Sequence, residues 1–301
     1  MNRKNQPSPD PANLPAHPGK RARLWRLLYG HGPGNGSLMV LPLDQGLEHG
    51  PTDFFPHPPA LDPQYQFELA LAGRYSAIAL GIGLAEKYFA PYAGRLPLIL
   101  KLNGKTNIPD DAEATSPALA SVEDAVRLGA DAVGYTIYVG SPRQDEELRN
   151  FRQVRQDCER YGMPLVLWSY PRGRAVDAKG GKNSLYAQDY AARVALELGA
   201  DIVKLHEPEA DAGGSPAPYA GLGEDAAART RRVVRSAGLT RVLFSGGSKN
   251  DDDDAVLGKI EFYMQNGADG VMFGRNMWLR EFDRAVALSR AAHEILANYP
   301  G

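Results

Sequence analysis

The stretches SVEDAVRLGADAVGYTIY (121–138), AARVALELGADIVKLHE (191–207) and KIEFYMQNGADGVMFGRN (259–276) repeat one phrase, and their spacing predicts the fold. In each, an amphipathic helical run ends at Gly-Ala-Asp and an apolar run follows at once. Gly129, Gly199 and Gly267 suit the position just past a helix, where a left-handed backbone closes the last turn. The repeated element is therefore a helix feeding a strand. The glycines stand 70 and 68 residues apart. That interval is too long for one such unit and fits two of about 35 residues, so a further strand is expected between each pair.

Both expected strands are present, in MPLVLWSY (163–170) and TRVLFSGG (240–247). Upstream, LMVLPLDQG (38–46), YSAIALGIG (75–83) and LPLILKLNG (96–104) supply three more apolar runs that end in polar or glycine-containing loops. Eight strands starting near Leu38, Ala77, Leu96, Ala132, Pro164, Asp201, Arg241 and Gly270 predict an α/β protein, a (β/α)8 TIM barrel in a single domain over 21–301. An open doubly wound sheet is the competing architecture. Residues 1–20 hold five prolines and little apolar pattern, and read as a flexible N-terminal arm.

Composition narrows the function classes. The chain has 301 residues, 43% hydrophobic and 23% charged, with a net charge of −2, which suits one large globular domain. The charge balance argues against nucleic acid as a partner; the short GKRARLWR stretch (19–26) reads as a solvated helix start. Cys158 is the sole cysteine, so no internal disulfide and no CxxC site can form. No apolar run approaches the ~20 residues that span a bilayer, and the N-terminus lacks a signal-peptide core. No membrane association and a cytoplasmic location are expected.

In a barrel of this kind the loops after the strands form the functional face. Unusual residues fall there: Asp44 after strand one, Trp168, Tyr170 and Arg172 after strand five, Lys204 after strand six, Ser245-Gly246-Gly247 after strand seven and Gly274-Arg275 after strand eight. Lys204 follows Ile202 and Val203 at a strand end. Desolvation there would lower its pKa and supply the free amine that Schiff-base chemistry needs. Plainer readings exist for each: a salt-bridged Lys204, a helix-capping Asp44, Trp168 and Tyr170 as core aromatics, Arg172 in a structural ion pair. The glycine loops after strands seven and eight suit phosphate binding through backbone N–H groups, with Lys249 and Arg275 adding charge. Asp251 to Asp254 reads as the acidic first turn of the next helix.

Six histidines, His17, His31, His49, His57, His206 and His293, include no close pair at metal-ligand spacing, so no metal is expected. His49 and His206 fall near the functional face and read as hydrogen-bonded loop residues. Lys101, in register with Ile99 and Asn103, would depress the Lys204 pKa if it pointed inward; snorkelling to solvent is the reading preferred for a strand-end lysine. Gly81 and Gly83 lack the third glycine of a dinucleotide fingerprint.

The ordered set LPLDQGLEHGP, GYTIYVGSP, LVLWSYPRG, LELGADIVKLHEPE, LFSGGSKND and FGRNMW resembles the archaeal-type class I fructose-bisphosphate aldolases, the DhnA-like branch of the DeoC/FbaB aldolases, over about Leu38 to Arg280. The resemblance implies a (β/α)8 barrel without metal or other cofactor, and reversible cleavage of a ketose bisphosphate in glycolysis and gluconeogenesis. It matches Lys204 to the Schiff-base lysine, Tyr170 to the proton-transfer tyrosine and Asp44 to the aspartate of the first strand. It further implies that Trp168 shapes the pocket, that Ser245, Gly246, Gly247, Gly274 and Arg275 hold a phosphate, and that Arg172 holds a second phosphate or stays structural. A phosphorylated sugar as substrate and a homo-oligomeric state are expected on the same ground. His206 and Glu207 have no matched role. Related Schiff-base transaldolase or thiolase chemistry on another phosphorylated ketone is the alternative within the class, and a catalytically silent sugar-phosphate-binding barrel the alternative outside it.

Overall fold

The computed structural model describes residues 17–301. The expected arm therefore falls mainly outside the described residues, but its last part does not: a helix runs Pro18–Trp25, and Lys20 within it is buried. Eight parallel strands follow, β1 (Leu38–Leu43), β2 (Ala77–Gly81), β3 (Leu98–Lys101), β4 (Ala132–Val139), β5 (Leu165–Pro171), β6 (Ile202–Leu205), β7 (Arg241–Ser245) and β8 (Gly270–Met272). Each pairs with the next, and β8 pairs back with β1 through Leu38–Gly270, Met39–Val271 and Val40–Met272. That last pairing closes the barrel and excludes the open sheet. After the strands in turn come α1 (Pro63–Ala72), α2 (Ile82–Tyr88), α3 (Val122–Arg127), α4 (Gln144–Tyr161), α5 (Leu185–Glu197), α6 (Ala226–Ser236), α7 (Asp253–Gln265) and α8 (Phe282–Ala297).

Strands β3, β5 and β6 begin one or two residues later than the sequence pattern places them. Pro97 and Pro164 have no N–H to give the ladder, so they only accept, from Ile78 and Val133. Gly129, Gly199 and Gly267 have φ of 69°, 82° and 92°, the left-handed closure expected of them.

The aspartates of the three Gly-Ala-Asp phrases have a shared purpose at the barrel floor. Asp201 accepts from the Leu165 N–H at 2.8 Å and Asp269 from the Val242 N–H at 2.7 Å. Both also face cations: Asp201 lies 3.3 Å from Lys20, and Asp269 3.4 Å from Arg241. Asp131 pairs with Arg26 at 2.5 Å. The GKRARLWR stretch is thus no solvated helix start. Leu24, Leu27 and Leu28 cluster with interior residues such as Leu38, Val40, Ile99 and Ile202, while Lys20 and Arg26 neutralise the floor carboxylates. An apolar stripe with charges at its edges makes this helix the plug of the barrel.

Two apolar layers result: this interior cluster, and a larger one between the strands and the ring of helices. Among the described residues, no helix is long and apolar enough to cross a membrane.

Barrel closure places one sharp demand on sequence. A Cβ at position 270 would lie 2.0 Å from the Leu38 carbonyl oxygen, backbone that cannot turn aside. Gly270→Ala is expected to destabilise the protein by about 3 kcal/mol or more, read as a lowered urea midpoint. An unchanged midpoint would contradict this account of closure.

Candidate active site

Side chains alternate along a strand, so residues two apart share a face. Inward columns read Ile99 then Lys101 on β3, Val166, Trp168 then Tyr170 on β5, Ile202 then Lys204 on β6, and Leu243 then Ser245 on β7. The apolar members of each column belong to the interior core. The polar members stand where the columns reach the C-terminal mouth. The register that fills the barrel therefore also aims these groups at one place, with Trp168 paired directly beside Lys204.

A cavity of about 410 Å³ opens there, lined by Asp44, Tyr170, Arg172, Lys204, Ser245, Gly246, Gly247, Gly274 and Arg275 among others. Of the residues to which the resemblance gives a role, Trp168 is the one that does not line it. Its ring is fully buried, with Lys204 Nζ 5.4 Å and Lys101 Nζ 4.9 Å from its centroid. Gly134 makes room for it: a Cβ there would come within 2.7 Å of the indole. Trp168 shapes the site as a floor beneath the two lysine nitrogens rather than as a wall.

The charges are arranged unequally. Lys101 is 3% exposed, and its Nζ lies 3.1 Å from Asp44 Oδ2 and 2.7 Å from Glu48 Oε1. It does not snorkel, because inward register leaves it no path to solvent and two carboxylates meet it instead. Burial opposes its charge, but Glu48 and Asp44 outweigh burial and raise its pKa. Burial likewise opposes ionisation of Asp44, and Lys101 and Lys204 overcome it to hold the carboxyl below its ordinary value. Lys204 makes no ion pair among the described residues. Burial lowers its pKa, Asp44 and Glu48 push back, and Lys101 and Arg275 add to the lowering. One lysine is thus a fixed counter-ion, and the other is biased toward the free amine.

Tyr170 lies beside that amine, with Lys204 Nζ 5.8 Å from its ring centroid. Burial, then the charges of Asp44 and Glu48, raise its pKa and keep it a phenol. His206 stacks on it, the centroids 4.5 Å apart and the planes at 18°. The His206 Nδ1 is 2.8 Å from Ser245 Oγ. Burial and the nearby cations Arg172, Lys204, Lys182 and Lys259 lower the histidine's pKa to about 3, so the ring is neutral. Arg172 pairs with Asp111 at 2.9 Å and lies over the Tyr170 and Tyr138 rings, at 5.3 and 5.8 Å. Lys105, Asp111 and Lys182 join it on the cavity wall.

On the opposite loops, Asn276 donates to the carbonyls of Gly246 and Ser248 and accepts from the Asn250 N–H. It ties the β7 loop to the chain that follows β8. Arg275 reaches Gly247 O at 3.4 Å and Asp53 at 3.6 Å. Lys249 instead pairs with Asp251 and does not line the cavity, so it adds no charge there. Asp252 caps α7 and Asp253 stands in its first turn, as the acidic run suggests. Glu207 accepts from Tyr263 at 2.9 Å and pairs with Lys259 at 2.8 Å, a structural setting. Among the described residues no group of three His, Cys, Asp or Glu side chains stands where it could hold a metal ion.

With this geometry in place, comparison with known proteins becomes specific. Residues 38–280 match the model of the DeoC/LacD family aldolases. The chain belongs to the DeoC/LacD aldolase family. A Thermoproteus tenax protein named fructose-bisphosphate aldolase class 1 is 40% identical over 256 residues, 84% of this chain and 89% of that protein. A Methanocaldococcus jannaschii protein named fructose-bisphosphate aldolase/6-deoxy-5-ketofructose 1-phosphate synthase is 31% identical over 269 residues, 86% of this chain and 81% of that one. An archaeal fructose 1,6-bisphosphate aldolase, solved with its catalytic lysine covalently bound to the carbinolamine intermediate, is 36% identical with a TM-score of 0.77, covering 92% of this chain and 98% of its own.

Sequence reasoning overlooked Glu48, Tyr138, Lys105, Asp111 and Lys182. Glu48 lies in the LEHG stretch that also carries His49, and a carboxylate one helical turn after Asp44 was the available signal. Lys105, Asp111 and Lys182 sit on loops whose course no periodicity encodes, and Tyr138 stands near the end of β4.

The Lys101 cluster yields a pH-dependent expectation. In the native protein Asp44 has a lowered pKa, so its contribution to stability is present above its ordinary 3.8 and fades as pH falls. In Lys101→Met, Asp44 and Glu48 are left buried without their cation. The variant is expected to lose about 3 kcal/mol at pH 7. Its deficit should shrink toward pH 4, because in the variant the buried Asp44 carboxyl, no longer held ionised by a cation, takes up a proton and sheds its charge penalty. Urea titrations at the two pH values measure this; a pH-independent deficit would contradict it.

Proposed function

We propose that the protein is a class I fructose-bisphosphate aldolase, cleaving fructose 1,6-bisphosphate to dihydroxyacetone phosphate and glyceraldehyde 3-phosphate through a Schiff base on Lys204. The observation that carries this reading is the pair of lysines at the barrel mouth. Lys204 is buried, unpaired and biased toward the free amine, while Lys101 takes up the carboxylates that would otherwise keep it protonated. The T. tenax relative and the archaeal structure with a lysine-bound carbinolamine support the same chemistry.

In this reading the Lys204 amine attacks the substrate ketone, and loss of water leaves an iminium that draws electrons from the adjoining carbon–carbon bond. Asp44, held ionised by Lys101, takes the proton from the hydroxyl that becomes the aldehyde as the carbon–carbon bond breaks. Cleavage leaves an enamine on Lys204. Tyr170, held as a phenol, gives its proton to the enamine carbon, and hydrolysis frees the second product. Ser245, Gly246, Gly247, Gly274 and Arg275 hold one phosphate, with backbone N–H groups and a guanidinium as donors. Arg172, with Lys105 and Lys182, meets the phosphate at the other end, on the loops after β3 and β5. Binding both ends converts remote contacts into alignment at the reacting bond. A cytoplasmic homo-oligomer belongs to the same reading.

A second reading has one observation in its favour: the M. jannaschii relative carries a second named synthase activity on a ketose monophosphate. Both readings share the lysine and differ in what the Arg172 side of the cavity must bind.

Borohydride reduction in the presence of dihydroxyacetone phosphate and EDTA is expected to fix the substrate on the Lys204 peptide, and Lys204→Ala should abolish the adduct. Tyr170→Phe should still be trapped but lose turnover by about 10²–10⁴-fold. Arg172→Ala should raise KM for fructose 1,6-bisphosphate far more than for fructose 1-phosphate. No adduct in folded native protein would overturn the Schiff-base assignment and favour a silent binder. Equal loss on both ketoses would instead move the substrate to a monophosphate.

A further inference from the structure

His206 has no part in the chemistry just described, yet it is placed as if built for one. It follows Lys204 by two residues, so strand alternation turns both toward the cavity, and both line it. Three contacts fix it. Its backbone N–H donates to Gln188 Oε1 at 3.1 Å, and Gln188 is itself fully buried and donates to Lys182 O at 2.6 Å. Its Nδ1 lies 2.8 Å from Ser245 Oγ, at the start of the proposed phosphate loop. Its ring face lies flat on Tyr170.

The tyrosine needs such a contact. Among the described residues its hydroxyl has no hydrogen-bond partner, so only packing aims the phenol. One face meets the imidazole at 4.5 Å, and the Arg172 guanidinium stands 5.3 Å from the ring centre. Arg172 is itself held by Asp111 and would be drawn toward a bound phosphate. His206 is anchored at its backbone and at its ring nitrogen, and as a neutral ring it is not drawn toward a bound phosphate.

We propose that His206 is a positioning residue for the proton-transfer step: its ring, fixed by Ser245 and Gln188, holds the Tyr170 phenol in line with the enamine carbon. This rests on the Schiff-base reading above. In the step concerned, the enamine π pair forms a new bond from carbon to the phenolic proton, the nitrogen lone pair closes the iminium, and the phenolate remains on Tyr170. Imine formation at Lys204 precedes it and does not need the tyrosine aligned. The charge state agrees with this role. A neutral ring, its pKa lowered to about 3 by burial and surrounding cations, can stack without competing as an acid across the neutral range.

The test separates the two steps. Native protein, His206→Ala and His206→Phe are incubated with dihydroxyacetone phosphate in D2O. Solvent deuterium entering the carbon beside the ketone is followed by NMR and reports proton transfer. Borohydride trapping on the Lys204 peptide, run in parallel, reports imine formation and the integrity of the site.

His206→Ala is expected to trap within about twofold of native but to exchange at least about tenfold more slowly, a smaller loss than the ~10²–10⁴-fold of removing the acid itself, because the phenol remains. His206→Phe keeps a ring against Tyr170 and should recover most of that exchange. Native-like exchange in His206→Ala would overturn the proposal. So would a parallel fall of trapping and exchange in both variants, which marks a general structural role. His206→Phe falling as far as His206→Ala, with trapping intact, would overturn the stack as the operative contact. If the native protein itself failed to trap, the Schiff-base reading and this inference would fall together.

Discussion

The buried contact of Lys101 with Asp44 and Glu48 is the constraint on which the rest of the site depends. Two carboxylates near a catalytic amine would ordinarily hold it as an ammonium, a form that cannot attack a carbonyl. Here a second lysine offsets part of their charge at 3.1 and 2.7 Å and adds its own repulsion to the desolvation of Lys204. The same contact keeps Asp44 ionised in a place that would otherwise favour the neutral acid. Such a cluster costs desolvation energy for every member. Its return is chemical: adjacent groups are held in different charge states that a polar, open site could not maintain.

The barrel supplies the geometry at no further expense. Each inward column begins as apolar packing over the plugging N-terminal helix and ends in a functional side chain, so the periodicity that fills the interior also aims the chemistry. Trp168 marks the boundary between the two. It is core by burial and cavity floor by position, beneath both lysine nitrogens. Above it Tyr170, His206 and Ser245 form a connected set that runs from the proposed proton donor to the proposed phosphate loop.

Most of this was legible where a residue's surroundings follow from its own strand. The Gly-Ala-Asp phrases yielded the repeat, the eight strands and the position of Lys204, because helix closure and strand entry are local events. The loops after β7 and β8 were legible for the same reason. What could not be read depends on contacts between distant segments. Lys101 looked like a snorkelling lysine because nothing near it in sequence announces that Asp44 and Glu48 will meet it 50-odd residues away in the chain. The basic stretch at 19–26 looked solvated because its partners, Asp131, Glu159 and Asp201, lie at the floor of strands not yet assembled. Lys249 failed in the opposite sense, its near neighbour Asp251 claiming it before any ligand does.

The central claim is that burial and Lys101 bias Lys204 toward the free amine, against the pull of two carboxylates. Its own titration tests that most directly. Trace labelling of the native protein with acetic anhydride across pH, followed by mass spectrometry of the Lys204 peptide, measures the fraction of unprotonated amine. The account requires a midpoint below the ordinary lysine value of 10.5. A midpoint at or above that value would mean that Asp44 and Glu48 prevail, and would contradict it.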